Sequence, residues 1–111
     1  MVEQRELTGQ VAVVTGAARA IGRRIAETLG ARGAAVVSLD LLPADETVEA
    51  IEQAGGTASA VTCDVTDEIS VARAVDGVMA DHGRVDILVN NAGLFAGIER
   101  RPFWAIDLVE W

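Results

Sequence analysis

The sequence predicts an α/β fold, a doubly wound parallel sheet with strand order 3-2-1-4. Three observations carry this. Four short apolar runs begin at residues 11, 34, 57 and 85, so that successive starts lie 23, 23 and 28 residues apart. A strand plus a crossover helix needs about that much chain, whereas hairpins need far less. The segments between the runs have helical spacing, and each meets glycine at or just beyond its end.

The first run, Val11–Val14, is apolar throughout, as is expected of a central parallel strand covered on both faces. A glycine-containing turn, Thr15 to Gly22, then opens a helix whose Ile21, Ile25 and Leu29 fall at i, i+4 and i+8 and which closes at Gly33. The second strand is Ala34–Leu39. Val48 and Ile51 mark a second helix ending at Gly55–Gly56. The third run, Thr57–Cys63, is polar and alternating and reads as an edge strand.

Thr66 is the expected N-cap of a third helix, with Asp67 and Glu68 favouring its dipole, and Val71, Val75, Val78 and Met79 form its apolar face before Gly83. The fourth run, Val85–Val89, again reads as a strand covered on both faces, although nothing after it in the chain would shield its outer edge. Right-handed crossovers give the order 3-2-1-4 with helices on both faces.

After Gly93 the pattern stops. Residues 94 to 106, with Gly97, Pro102 and the pair Arg100–Arg101, read as loop, and Asp107 is placed to cap a helix starting Leu108–Trp111. Four residues cannot hold a helix alone. The expectation is therefore that residues 1–111 are the N-terminal part of a single domain, truncated after the fourth strand.

Composition narrows the partners. Nine basic residues, all arginine, oppose 17 acidic ones for a net charge of −8. Such a chain is repelled by nucleic acid and by anionic membranes, so neither is an expected partner. One cysteine, Cys63, allows no intrachain disulfide. The polar N-terminus lacks a signal-peptide pattern, and no apolar run approaches a membrane span of ~20 residues, so a cytoplasmic protein is expected.

The polar residues of interest collect at the carboxyl ends of the four strands, where ligands bind in open parallel sheets. The turn Thr15-Gly-Ala-Ala-Arg-Ala-Ile-Gly22 sits at a helix N-terminus, whose free N–H groups and dipole suit a pyrophosphate. Gly16 permits the tight turn and Gly22 the close packing of helix on strand. Alone, this pattern also fits an ordinary βα turn. Asp40 ends the second strand, 18 residues after Gly22, where a carboxylate can accept hydrogen bonds from ribose hydroxyls; a loop carboxylate or a cap is the competing reading. Asp64 ends the third strand, and Asn90-Asn91-Ala92-Gly93 the fourth. Asp64 is also placed to cap the third helix, and Asn90–Asn91 to form a turn that tolerates left-handed geometry.

Leu7 to Gly16, the glycine turn, Asp40, Cys63-Asp64-Val65 and Asn90-Asn-Ala-Gly93 together resemble, in order and spacing, the N-terminal part of the short-chain dehydrogenase/reductase family over essentially the whole chain. The resemblance implies a Rossmann-like oxidoreductase that moves hydride between a nicotinamide cofactor and an alcohol or carbonyl substrate. It implies a cofactor site of Gly16, Arg19, Ala20, Ile21 and Gly22 at the pyrophosphate and Asp40 with Leu41 at the ribose. Asp64 with Val65 falls near adenine, and Asn90, Ala92 and Gly93 fall near the adenosine-side ribose and the nicotinamide half. Where the family usually has a middle glycine this chain has Ala20, whose methyl narrows the approach of the phosphate.

NAD is the expected cofactor rather than NADP. A 2′-phosphate ~4 Å from the Asp40 carboxylate would cost on the order of 4 kcal/mol at an effective dielectric near 20, close to a thousandfold in affinity. Arg19 offsets part of that. The resemblance also implies a homo-oligomer, tetramer or dimer.

Other residues claim less. His82 ends the third helix at the far side of the sheet from the crevice. Cys63 reads as packing. Trp104 and Trp111 are expected to pack on further parts of the fold, with Phe95 or Trp104 a weaker candidate for lining a substrate pocket.

The family's chemistry uses a tyrosine proton donor, a lysine that lowers its pKa, a serine and an asparagine. This chain has no tyrosine and no lysine, and Ser38, Ser59 and Ser70 lie in the wrong elements, so no catalytic residue is assigned and the chain alone is expected to be inactive. The alternative is a non-catalytic nucleotide-binding or interaction module that uses the half-fold. A P-loop hydrolase is excluded, because its phosphate-binding lysine is absent.

Overall fold

The computed structural model describes residues 5–93 and 101–106. Strands β1 (Val11–Thr15), β2 (Ala35–Asp40), β3 (Thr57–Thr62) and β4 (Ile87–Val89) alternate with helices α1 (Ala20–Ala31), α2 (Asp45–Gln53) and α3 (Glu68–His82). All pairs are parallel and the order is β3-β2-β1-β4, as the crossover argument requires.

Register aligns the strand tips. Thr15 pairs Leu39, Asp40 pairs Thr62 and Val14 pairs Val89, so the four carboxyl ends share one rim. Side chains alternate across the sheet and give it two cores. Val11, Val13, Val37 and Leu39 pack with Cys63 and with Ala74 and Val78 of α3. Ala12, Val14 and Val36 pack on the other face with Ala17, Ala26 of α1 and Ile51 of α2. This is the doubly wound layering, with every β1 side chain buried.

Three expectations are corrected. In α1 the fully buried residues are Gly22, Ala26 and Gly30; of the expected apolar face, Ile25 and Leu29 pack half-buried against the same core and Ile21 does not. The small residues let the helix axis come close, and the large ones line an open groove of about 630 Å3 on its flank, with Ile21 71% exposed. Likewise Ala74 and Val78 anchor α3, while Val71, Val75 and Met79 stay largely exposed. The fourth strand is not covered on both faces: it has three residues, pairs only with β1, and leaves Leu88 58% exposed. The edge expectation for β4 holds: Ile87 and Val89 pack half-buried against the α1 side of the sheet, while the Leu88 face has no covering layer among the described residues.

The helix ends follow the glycines. Gly33, Gly55 and Gly83 are all left-handed, at φ 100°, 89° and 73°. The start of α3 differs from expectation, since Asp67 rather than Thr66 is its N-cap and accepts from Ile69 N at 3.0 Å. Thr66 is drawn away by Asp64, whose Oδ1 accepts from both its backbone N–H and its hydroxyl.

At the opposite rim Asp86 fixes where β4 joins β1. Its Oδ2 accepts from Val11 N at 2.8 Å, and Arg84 grips the same carboxylate. The Arg84 guanidinium first, and the Val11 N–H second, hold its carboxyl below the usual range. His82 ends α3, as expected. Phe103–Ala105 forms a short 3-10 turn within the expected loop, where Trp104 meets Phe103 edge-on and both are mostly exposed. Phe95, Gly97, the Asp107 cap, the helix from Leu108 and Trp111 lie outside the described residues.

Ser38 of β2 is fully buried, and its hydroxyl has no hydrogen-bond partner among the described residues. A buried unpaired hydroxyl is unfavourable. Ser38→Ala is expected to raise unfolding stability by about 1 kcal/mol, measured by denaturant titration. A clear loss of stability would show that this hydroxyl has a partner in solution.

Candidate functional site

At the rim, the turn between β1 and α1 is gripped residue by residue from three other elements. Asn91 Nδ2, after β4, donates to Gly16 O at 3.2 Å. Thr47 Oγ1, in α2, donates to Ala17 O at 2.7 Å. Ala18 N donates to Asp40 Oδ2 at 3.0 Å, at the tip of β2. Thr15 adds a hub, since its hydroxyl oxygen accepts from Asn91 N and Ala92 N, both at 3.0 Å, and donates to Val89 O at 3.3 Å.

Glycine is required here by close approach. Gly16 is left-handed at φ 67°, and a Cβ on it would lie 2.9 Å from Asn91 Nδ2. A Cβ on Gly22 would lie 2.0 Å from Gly16 O, so α1 packs directly on the carbonyl of its own entry turn. Ala20 is also left-handed, at φ 53°, alone among the described non-glycine residues. That conformation costs an L-residue roughly 1–2 kcal/mol. Ala20→Gly removes that cost but gains unfolded-state freedom, so a net stabilisation of about 1 kcal/mol or less is expected. Thermal unfolding checks it, and a lower midpoint would contradict the strain argument.

The first turn of α1 differs from those of the other two helices. Its N-cap, Arg19, offers no side-chain cap and its first turn holds no acid, whereas α2 carries Asp45 and Glu46 there and α3 is capped by Asp67. Helix geometry leaves the first N–H groups without intrahelical acceptors. No acid of its own first turn therefore offsets the positive end of α1, and the Asp40 carboxylate bonds Ala18 N just ahead of it.

Asp40 is half-buried and two-handed, because Oδ1 accepts from Leu42 N at 3.0 Å while Oδ2 holds Ala18. Each oxygen keeps a lone pair for a further donor. Leu41 beside it is 64% exposed. Asp64, half-buried beyond the tip of β3, does not cap α3 but closes a turn on Thr66. The Thr66 hydroxyl and then the Thr66 N–H hold its carboxyl below the usual range. Val65 next to it is exposed. Asn90, Ala92 and Gly93 follow β4 as exposed residues, and neither Asn90 nor Asn91 is left-handed.

The structure therefore joins the residue 16–22 turn, Asp40 and the segment after β4 by direct hydrogen bonds, with Asp64 on the same rim. Thr47 and Asn91 were not among the expected site residues. Asn91 had a signal in the motif after the fourth strand; Thr47 had none, because its partner lies 30 positions away. The large groove on the flank of α1 shares only Ala20 and Ile21 with these residues.

The family model described as short chain dehydrogenase matches residues 10–111. Glucose 1-dehydrogenase 2 of Bacillus subtilis (strain 168) is 39% identical over 110 residues, 96% of this chain and 42% of that protein. D-threitol dehydrogenase of Mycolicibacterium smegmatis is 47% identical over 109 residues, 95% of this chain and 40% of that one. The crystal structure of a metagenomic short-chain oxidoreductase in complex with NADP superposes with a TM-score of 0.76 at 44% identity, covering 94% of this chain and 47% of the other. The chain spans about two-fifths of the length of the curated relatives it matches. Among the described residues no helix is long and apolar enough to cross a membrane. The strand order, the turn and the match over residues 10–111 agree: the chain belongs to the short-chain dehydrogenase/reductase family.

Proposed function

We propose that residues 1–111 are the N-terminal, cofactor-binding part of one dinucleotide-binding domain of an NAD-dependent oxidoreductase acting on an alcohol or carbonyl. The observation that carries this is the Ala18 N to Asp40 Oδ2 hydrogen bond, which sets the uncapped mouth of α1 beside the carboxylate at the tip of β2. A dinucleotide needs that pairing, an anion site adjoining a ribose acceptor.

In this reading the N–H groups of Ala20, Ile21 and Gly22, with Arg19, bind the pyrophosphate. Asp40 accepts the ribose 2′-hydroxyl beside Leu41. Asp64 and Val65 flank the adenine, and Asn90, Ala92 and Gly93 border the remainder of the cofactor. The nicotinamide ring, when bound, supplies or accepts the hydride. The chain's own part is to bind and orient, since it holds no tyrosine or lysine to move the accompanying proton as its family does.

NAD is favoured over NADP because a 2′-phosphate would meet the Asp40 charge. The likeness to an NADP complex, and the exposed Arg19, support the second reading, in which Arg19 answers that phosphate. Titration calorimetry of the chain with each dinucleotide separates them. NAD is expected to bind more tightly by at least tenfold; equal or reversed affinities would favour NADP, and binding of neither would overturn the reading. Purified chain is expected to show no NADH-dependent turnover. The protein is further proposed to work in the cytoplasm as a homo-oligomer.

A further inference from the structure

Thr47 is completely buried, at the third position of α2, yet its hydroxyl serves another element. The third helical position has no carbonyl of its own helix one turn back to accept from that hydroxyl. Here it donates to Ala17 O at 2.7 Å, with Ala18 O at 3.5 Å. The N–H on the other side of that same Ala17–Ala18 peptide donates to Asp40 Oδ2. A peptide unit is planar, so fixing both edges fixes its orientation. Thr47 and Asp40 are therefore the two ends of one clamp across the turn.

The helix that delivers Thr47 has no slack. A Cβ on Gly30 of α1 or on Gly56 before β3 would lie 2.8 Å from Ile51 Cγ2, one helical turn after Thr47. The clamp also disposes of charge. Gly16 O and Ala17 O, two successive carbonyls in a turn beside an anion site, are both occupied by side-chain donors. An unpaired carbonyl there would turn its negative end toward an incoming phosphate.

We infer that Thr47 is a positioning residue for the dinucleotide: through the Ala17–Ala18 peptide it holds the pyrophosphate turn and the Asp40 carboxylate in one register. The inference rests on the cofactor reading above. It makes Thr47 a determinant of selectivity as well as affinity, because a loosened turn frees Asp40 from the position that disfavours a 2′-phosphate.

The test is calorimetric titration of NAD and NADP into wild type, Thr47→Val and Thr47→Ser, with unfolding curves for each. Valine keeps the shape and removes the donor; serine keeps the donor and removes the methyl. Thr47→Val is expected to weaken NAD by about tenfold and to shrink the NAD-to-NADP ratio, and Thr47→Ser to restore both. A role in packing alone would lower the unfolding midpoint and leave the ratio intact. Folded Thr47→Val with wild-type affinity and ratio, or equal losses in valine and serine variants, overturns the inference while the cofactor reading stands. Failure of the wild type to bind either dinucleotide overturns the cofactor reading, and this inference with it. If valine prevents folding, Thr47→Cys, a weaker donor in similar space, is expected to show intermediate affinity, and wild-type affinity in it is the contradicting result.

Discussion

Gly22→Ala is expected to destabilise the fold by about 3 kcal/mol or more, a large fraction of the roughly 5–15 kcal/mol typical of a whole domain. The new methyl would sit 2.0 Å from Gly16 O, 2.7 Å from the Gly16 carbonyl carbon and 2.5 Å from Asn91 Nδ2. Two of those atoms are backbone and cannot swing aside, so α1 must lift from its turn and take the Asn91 contact with it. Gly77→Ala is the matched control. Gly77 lies within α3 with open space around it, and alanine there is expected to stabilise by roughly 0.5–1 kcal/mol. Denaturant unfolding of both variants checks the contrast, and equal stabilities would mean that the turn and helix are not in contact.

Asp40→Ala is expected to collapse the preference for NAD over NADP by about two orders of magnitude. Loss of the ribose acceptor weakens NAD about tenfold, and removal of the carboxylate lifts a repulsion on the order of 4 kcal/mol before screening from the 2′-phosphate. The structure adds a cost that spacing along the chain does not reveal. Ala18 N and Leu42 N both lose their acceptor, so stability is expected to fall by about 1–2 kcal/mol as well. Calorimetry against both dinucleotides, beside an unfolding curve, separates the two effects. An unchanged ratio with reduced stability would leave Asp40 a structural residue only.

The topology was legible because it depends on period and spacing, which the chain states locally. Strand starts 23 to 28 residues apart and glycines at 33, 55 and 83 suffice for βαβ units and their order. The helix faces were less legible. Periodicity picks out large apolar residues such as Ile21 and Val75, whereas the buried positions include Gly22, Ala26 and Ala74, whose small size permits close packing. Capping at α3 turned on competition between neighbours, since Asp64 takes the Thr66 hydroxyl and Asp67 is left to cap.

At the rim, Asp40 and the glycine turn could be placed from the sequence because strand ends fix them. What could not be read was that Asp40 touches the turn itself, nor that Thr47 reaches it from α2. Both are contacts between elements far apart in the chain. Ala20 was visible as an alanine where the family usually has glycine, and the structure supplies its consequence, a left-handed backbone.

A dinucleotide is proposed to span the strand tips, with its diphosphate at the start of α1 and its ribose on Asp40. Backbone amide chemical-shift mapping of the chain titrated with NAD tests it most directly. The largest changes are expected at residues 17–22, at Asp40 and Leu41, and at Asp64 and Ala92, with Arg84 and Asp86 at the opposite rim unmoved. Changes centred on Arg84 and Asp86, or along residues 24–29 of α1 with Asp40 silent, would contradict it.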